Sequence, residues 1–256
     1  SPNFRTKDST NSKRRTSKNE MTYPIPRFFF SAPFGNYYRH KDAVSVTGTW
    51  TLRQRGNRLL AVIKSLRYNR EYKGWTNKLG LPNPGIHEGL KRTLPTDVLS
   101  IAEIERGDFL EMNNHIPKEQ SIELNLSCPN LGKTLPWDDV KIFSKRDRKW
   151  CIAKVSPLTT PEHLEYLIDI AGFRQIHFSN TLPVKEGGLS GSCLIPYTIE
   201  LIRLVRENWK NEDIEIIAGG GVQDQAHVLE YMKEGANHVS LGTVCFNPYK
   251  VYKLFQ

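Results

Sequence analysis

A chain of 256 residues, 38% hydrophobic and 25% charged, can bury one large core, and lengths near this suit a single β/α barrel. Its four cysteines, at 128, 151, 193 and 245, show neither metal-ligand spacing nor a small-disulfide framework, so a reducing, cytoplasmic compartment and no metal are expected. The net charge of +9 is a weak argument for nucleic acid because residues 1–20 hold six Lys or Arg against Asp8 and Glu20, and no apolar run has the length of a bilayer span or the form of a signal-peptide core.

Residues 1–22 are rich in Ser, Thr, Asn and Lys, with too little apolar surface to order themselves, and read as a disordered basic tail. Any contact with nucleic acid is expected of this tail alone. Residues 23–256 read as one domain. Within it, short β-rich runs recur near Phe28–Ser31, Ala43–Thr47, Val98–Ile101, Ser121–Asn125, Cys151–Val155, Gln175–Phe178, Ile214–Ala218 and His238–Leu241. Segments such as Pro161–Ile170, Tyr197–Asn208 and Gln225–Glu234 carry apolar residues at helical spacing between them, with Thr160 and Asp224 as caps. Alternation over eight units predicts an α/β fold, the (β/α)8 TIM barrel. The first unit is irregular. Gly35–Asp42 is too short for a crossover helix, so either that helix is missing or the first strand lies elsewhere. Thr51–Asp97 is a long excursion of the kind that shapes a substrate pocket.

Ser121–Asn130 places an alternating apolar strand before a loop with two amides and a thiol, so Asn125, Cys128 and Asn130 are expected at the C-terminal face of the barrel. Ile216–Val222 runs into Gly219, Gly220 and Gly221, and Val239–Val244 repeats the theme at Gly242 and Thr243. A third cluster, Gly187–Gly191, follows the sixth strand. A tight turn explains any one of them. Three on consecutive units, two of them where barrels commonly bind phosphate, point to an anion held by backbone N–H groups.

In this order the motifs resemble dihydroorotate dehydrogenase, a family of FMN-dependent β/α-barrel enzymes of pyrimidine synthesis, over most of residues 28–247. Thr76-Asn-Lys-Leu-Gly-Leu-Pro-Asn-Pro-Gly85 is similar to the family's pyrimidine-holding segment, and Asn125-Leu-Ser-Cys-Pro-Asn130 to its catalytic loop. Ala153-Lys-Val155 resembles the strand whose lysine meets the flavin, and Phe178-Ser-Asn-Thr181 the strand end that supplies a further amide. The resemblance implies oxidation of dihydroorotate to orotate, with hydride passing to FMN and Cys128 as the base. It implies substrate contacts from Asn77, Leu79, Gly80, Leu81, Asn125, Asn130, Asn180 and Thr181. Flavin contacts are implied for Ala32, Gly48, Asn125, Lys154, Gly191, Gly220, Gly221, Gly242 and Thr243. Carboxamides match the donors and acceptors of a cyclic diamide while staying neutral. Cys128, together with a polar tail, resembles the class 1 type, which implies a homodimer, no membrane association, and fumarate or a partner subunit as electron acceptor.

Gly48 departs from the pattern, since family members carry a lysine there that meets both flavin and substrate carboxylate. Losing such a charge-assisted contact costs about 1.5–3 kcal/mol of binding. Lys78, beside Asn77, offers a replacement cation. Gly48 also favours a second reading, a divergent, catalytically impaired FMN-binding homologue acting as a binding or interaction protein, against which the joint presence of four amides, Cys128 and Lys154 argues. A third reading is a tRNA dihydrouridine synthase, which shares an Asn-x-x-Cys-Pro loop. The Gly-Leu-Pro-Asn segment and Gly187–Gly191 fit the dehydrogenase better.

Overall fold

Twelve short strands organise the computed structural model, which describes residues 27–126, 137–144 and 148–256. β1 (Arg27–Phe30) and β2 (Ala43–Trp50) come first, and the excursion then contributes β3 (Arg67–Asn69) and β4 (Gly74–Asn77). β5 (Val98–Ile101), β6 (Ile122–Asn125), β7 (Cys151–Lys154) and β8 (Gln175–Phe178) follow. β9 (Leu182–Val184) and β10 (Gly187–Gly191) form a hairpin, and β11 (Glu215–Ala218) and β12 (His238–Leu241) end the series. The closed barrel runs β1-β12-β11-β8-β7-β6-β5-β2, all parallel, so each of the eight expected strands is in it.

Period-two alternation divides the apolar residues into two layers. Phe29, Val44, Val46, Val98, Trp150, Ile152 and Ile217 form one buried cluster, the apolar floor of the barrel interior. Their strand neighbours, among them Phe28, Leu99, Leu124, Ile176, Ile216 and Val239, join the larger cluster shared with the surrounding helices. Further along the strands the inward positions turn polar. Ser100, Glu123, Lys154, His177 and Ser240 are all buried above the floor.

The expected helices are present, with differences in their ends. Thr160 caps Pro161–Glu165 by accepting the His163 N–H, and that helix continues as a π-turn over Tyr166–Ile170. Asp224 caps Gln225–Lys233, and Ile195–Asn208 covers the third segment. The first crossover helix is missing and the first strand stands where expected, paired with β12 and β2. A 3-10 turn at Phe34–Asn36 replaces the helix. It lies directly on β2, because a side-chain carbon at Gly35 would fall on the Val46 backbone. The outer face of β1 is covered instead by Phe255, whose ring centroid lies 4.9 Å from Phe28 and 5.8 Å from Phe30.

The excursion builds half of a second sheet. β4 pairs antiparallel with β10, Asn77 opposite Gly188 and Gly74 opposite Gly191, giving the order β3-β4-β10-β9. Glycines permit this close pairing, since a side chain at Gly191 would meet the Gly74 α-carbon. The sheet joins the excursion to the segment after β8, on the C-terminal side of the barrel.

Candidate active site

Two adjoining cavities of about 490 and about 460 Å³ open at the C-terminal ends of the barrel strands. They share Ala32, Pro33, Asn77, Leu79, Lys154, Asn180 and Thr181 as a common wall. Each falls in the size range of small-molecule sites.

A hydrogen-bonded chain beneath the common wall fixes the polar side chains. Asn180 Nδ2 donates to Asn125 Oδ1 at 2.9 Å, and Asn125 Nδ2 donates to Thr49 Oγ1 at 3.3 Å. Thr49 and Ser100 lie 3.0 Å apart, and Ser100 Oγ donates to Glu123 at 3.0 Å. Because the Ser100 proton goes to the carboxylate, Thr49 donates to Ser100, and every donor in the chain points toward Glu123. The Glu123 carboxylate also meets His177 Nδ1 at 2.7 Å and Lys154 Nζ at 3.8 Å. Burial alone would raise the Glu123 carboxyl, but the Lys154 charge, the charge that His177 takes up in acid and the hydrogen bonds of His177 and Ser100 hold it down at about 2. Burial, then the Lys154 charge, lowers the His177 imidazole against the pull of Glu123. An ionised Glu123 only accepts, so the proton of neutral His177 sits on Nδ1 and Nε2 is an acceptor.

The larger cavity is lined on one side by Gly220, Gly221, Val222, Gly242 and Thr243. Gly220 and Gly221 follow β11 with φ of +87° and +83°, conformations that favour glycine. The turn is held from behind: Tyr231 Oη donates to the Gly220 carbonyl at 2.5 Å and Thr198 Oγ1 to that of Gly219 at 2.9 Å. Within the described chain the N–H groups of Gly220, Gly221 and Val222 make no hydrogen bond. Ser240, in the same cavity, has a buried hydroxyl without a partner among the described residues. Unclaimed donors, an orphaned hydroxyl and the Lys154 ammonium suit a phosphorylated, hydroxyl-bearing ligand such as FMN.

Most sequence-derived candidates converge here. Asn77, Leu79, Gly80, Leu81, Asn125, Asn180, Thr181, Ala32, Gly48 and Lys154 line the smaller cavity, and Gly220, Gly221, Gly242 and Thr243 the larger. Gly191 lines neither. It sits one layer back in β10, its carbonyl against Gly221. Cys128 and Asn130 lie outside the described residues. Gly48 has φ +105°, and its peptide groups are bracketed by the Asn36 side chain at 3.3 Å on both sides. Sequence reasoning missed Glu123, His177, Ser100, Thr49 and Ser240. Their only signal was a polar residue at an inward position of a strand.

Among the described residues no helix is long and apolar enough to cross a membrane. The family's sequence model, described as Dihydroorotate dehydrogenase, matches residues 37–255. A relative from Petrotoga mobilis, the catalytic subunit of dihydroorotate dehydrogenase B (NAD(+)), is 31% identical over 268 residues, covering 90% of this chain and 86% of that one. The like-named subunit from Endomicrobium trichonymphae is 28% identical over 252 residues, covering 83% and 80%. The crystal structure of Eimeria tenella DHODH in complex with ferulenol superposes with a TM-score of 0.67 over 89% of this chain and 79% of that one, and at 16% identity it speaks to the fold alone. The chain therefore belongs to the dihydroorotate dehydrogenase family.

Proposed function

We propose that the chain is an FMN-dependent oxidoreductase that oxidises dihydroorotate to orotate. The observation that carries this reading is the shared wall. The same Asn77, Lys154, Asn180 and Thr181 border both a carboxamide-lined cavity and a glycine-lined one, so two ligands would meet across them. Gly220, Gly221, Gly242 and Thr243 would hold the flavin phosphate, with Gly191 supporting the turn from behind, and Ser240 and Lys154 would meet the rest of the cofactor, beside Ala32 and Gly48. When bound, FMN supplies two-electron acceptor chemistry.

Asn77, Asn125, Asn130 and Asn180, with Thr181 and the Leu79-Gly80-Leu81 backbone, would orient the substrate diamide. The fixed chain from Asn180 to Glu123 pre-sets two of those amides and so lowers the cost of ordering them on binding. Cys128 would take the proton that leaves the ring carbon. An ordinary thiol titrates near 8.5, so it works as a thiolate at elevated pH or when activated. Lys154 would offset negative charge that develops at the common wall. Fumarate or a partner subunit is the proposed oxidant. A homodimer, a cytoplasmic setting, and one domain over residues 23–256 behind a solvated tail complete the reading.

Gly48 favours one alternative, a flavin-binding homologue without turnover. Visible spectra of the FMN-supplied protein under anaerobic conditions, before and after dihydroorotate, separate the two. Bleaching of bound flavin is the expected result. A bound flavin that stays oxidised would sink the dehydrogenase reading and leave the binding protein.

A further inference from the structure

We propose that Lys78 and Lys185 form a carboxylate-anchoring site at the mouth of the smaller cavity, replacing the cation lost at Gly48 and selecting an acidic ring over a neutral one. This rests on the dihydroorotate reading and names the residues that would enforce it.

Gly48 borders the cavity but cannot regain a side chain in place. Its φ is +105°, and a β-carbon there would lie 2.6 Å from the Ser100 carbonyl oxygen and 2.7 Å from Trp50 Cδ1. An anionic substrate must find its counter-charge elsewhere. The described lining of this cavity contains three lysines, Lys78, Lys154 and Lys185, and no acidic residue. Lys154 already faces the buried Glu123 carboxylate at 3.8 Å and, in the reading above, the cofactor, so its charge is shared. Lys78 and Lys185 take part in no ion pair among the described residues, so their charge is available to a ligand.

The small sheet brings the two together. Lys78 follows Asn77 at the end of β4, and Lys185 lies in the two-residue turn between Val184 and Gly187, which pair across the β9–β10 hairpin. Gly187 is the reason that Lys78 fits. It has φ +120°, and a β-carbon there would approach Lys78 Cγ to 2.7 Å and collide with the Asn77 carbonyl oxygen. The lysine stem thus passes through the space that glycine leaves at Gly187, the residue that closes the hairpin turn carrying the second lysine. Both side chains are exposed, so each ammonium keeps much of its hydration and acts as a screened, cooperating charge.

The test is calorimetric binding of orotate and of uracil, the same ring without the carboxylate, to the full FMN-supplied chain and to Lys78→Ala, Lys185→Ala and the double variant. The flavin absorption spectrum serves as the folding control. We expect orotate to bind about three- to tenfold more weakly in each single variant and about thirtyfold in the double, with uracil unchanged. Orotate affinity of the unsubstituted protein should weaken with added salt while that of uracil does not. Equal orotate affinity in the double variant, or parallel loss of orotate and uracil, would overturn the inference alone. Failure of the unsubstituted protein to bind orotate would overturn the dihydroorotate reading and the inference together.

Discussion

Cys128 and the amides around Asn125 divide the proposed work between a group that moves a proton and groups that hold the substrate still. Replacing Cys128 with Ala should therefore slow dihydroorotate-dependent flavin bleaching by about 10²- to 10⁴-fold while orotate binding and the flavin spectrum persist. The residual rate should lose the rise toward about pH 8.5 that an ordinary thiol confers. Stopped-flow absorbance across pH checks both, and a rate within threefold of the parent would remove Cys128 from the base role. Asn125 was legible in the sequence from its place at a strand end, whereas Asn77, Asn180 and Lys154 were found through the motifs that resemble the family. Glu123 and His177 were not. In Ser121–Asn125 the glutamate reads as the ordinary polar member of an alternating strand, and only closure of the barrel reveals that its side faces inward.

At the scale of elements, β2 carries the most consequential irregularity. Its pairing with β5 shifts register between Thr47 and Trp50, and Gly48 sits inside that shift. Gly48→Lys should consequently fail to restore the family pattern. A β-carbon at φ +105° against the Ser100 carbonyl should lower stability by about 2 kcal/mol or more. Denaturant midpoints measure this, and an unchanged midpoint with tighter orotate binding would show that the strand can relax. The sequence left the first crossover open between two readings, and Gly35 resolves it: the absent side chain lets a turn lie flat on β2 where a helix would stand off. Gly187–Gly191 was read as part of an anion loop and is a strand. Glycines that let two backbones approach look the same in sequence as glycines that let a backbone approach phosphate. The pairing partner, Gly74–Asn77, lies more than a hundred residues away.

Over the whole molecule, the barrel interior is an apolar floor with a charged layer above it, and that layer ties stability to pH. Glu123 has a lower pKa folded than unfolded, so its stabilisation is present above the ordinary 4.5 and is lost as pH falls toward about 2. His177 is also lowered on folding, so the unfolded chain takes up more protons once pH drops below the ordinary 6.5, and stability falls in the same direction. The thermal midpoint should thus decline steadily from about pH 6.5 downward. Glu123→Gln, which leaves Lys154 buried without its counter-charge, should lose about 3–5 kcal/mol near neutrality and show a shallower acid decline. Calorimetry of both proteins across that range decides it, parallel curves being the result that would exclude Glu123 as the source.

The barrel seam joins the two extremes of the described chain. β1 is held by β12, with Ser31 bonded to Leu241 across 210 positions, and Phe255 roofs the same strand. On a ribosome β1 emerges before the other described strands and meets β2 early, but the partner for its other edge, β12, comes last among them. Phe28, Phe29 and Phe30 must wait unpaired on one side through the making of the other described strands. Chaperone demand should then fall on this aromatic triplet, and release from it should coincide with the appearance of β12 and Phe255.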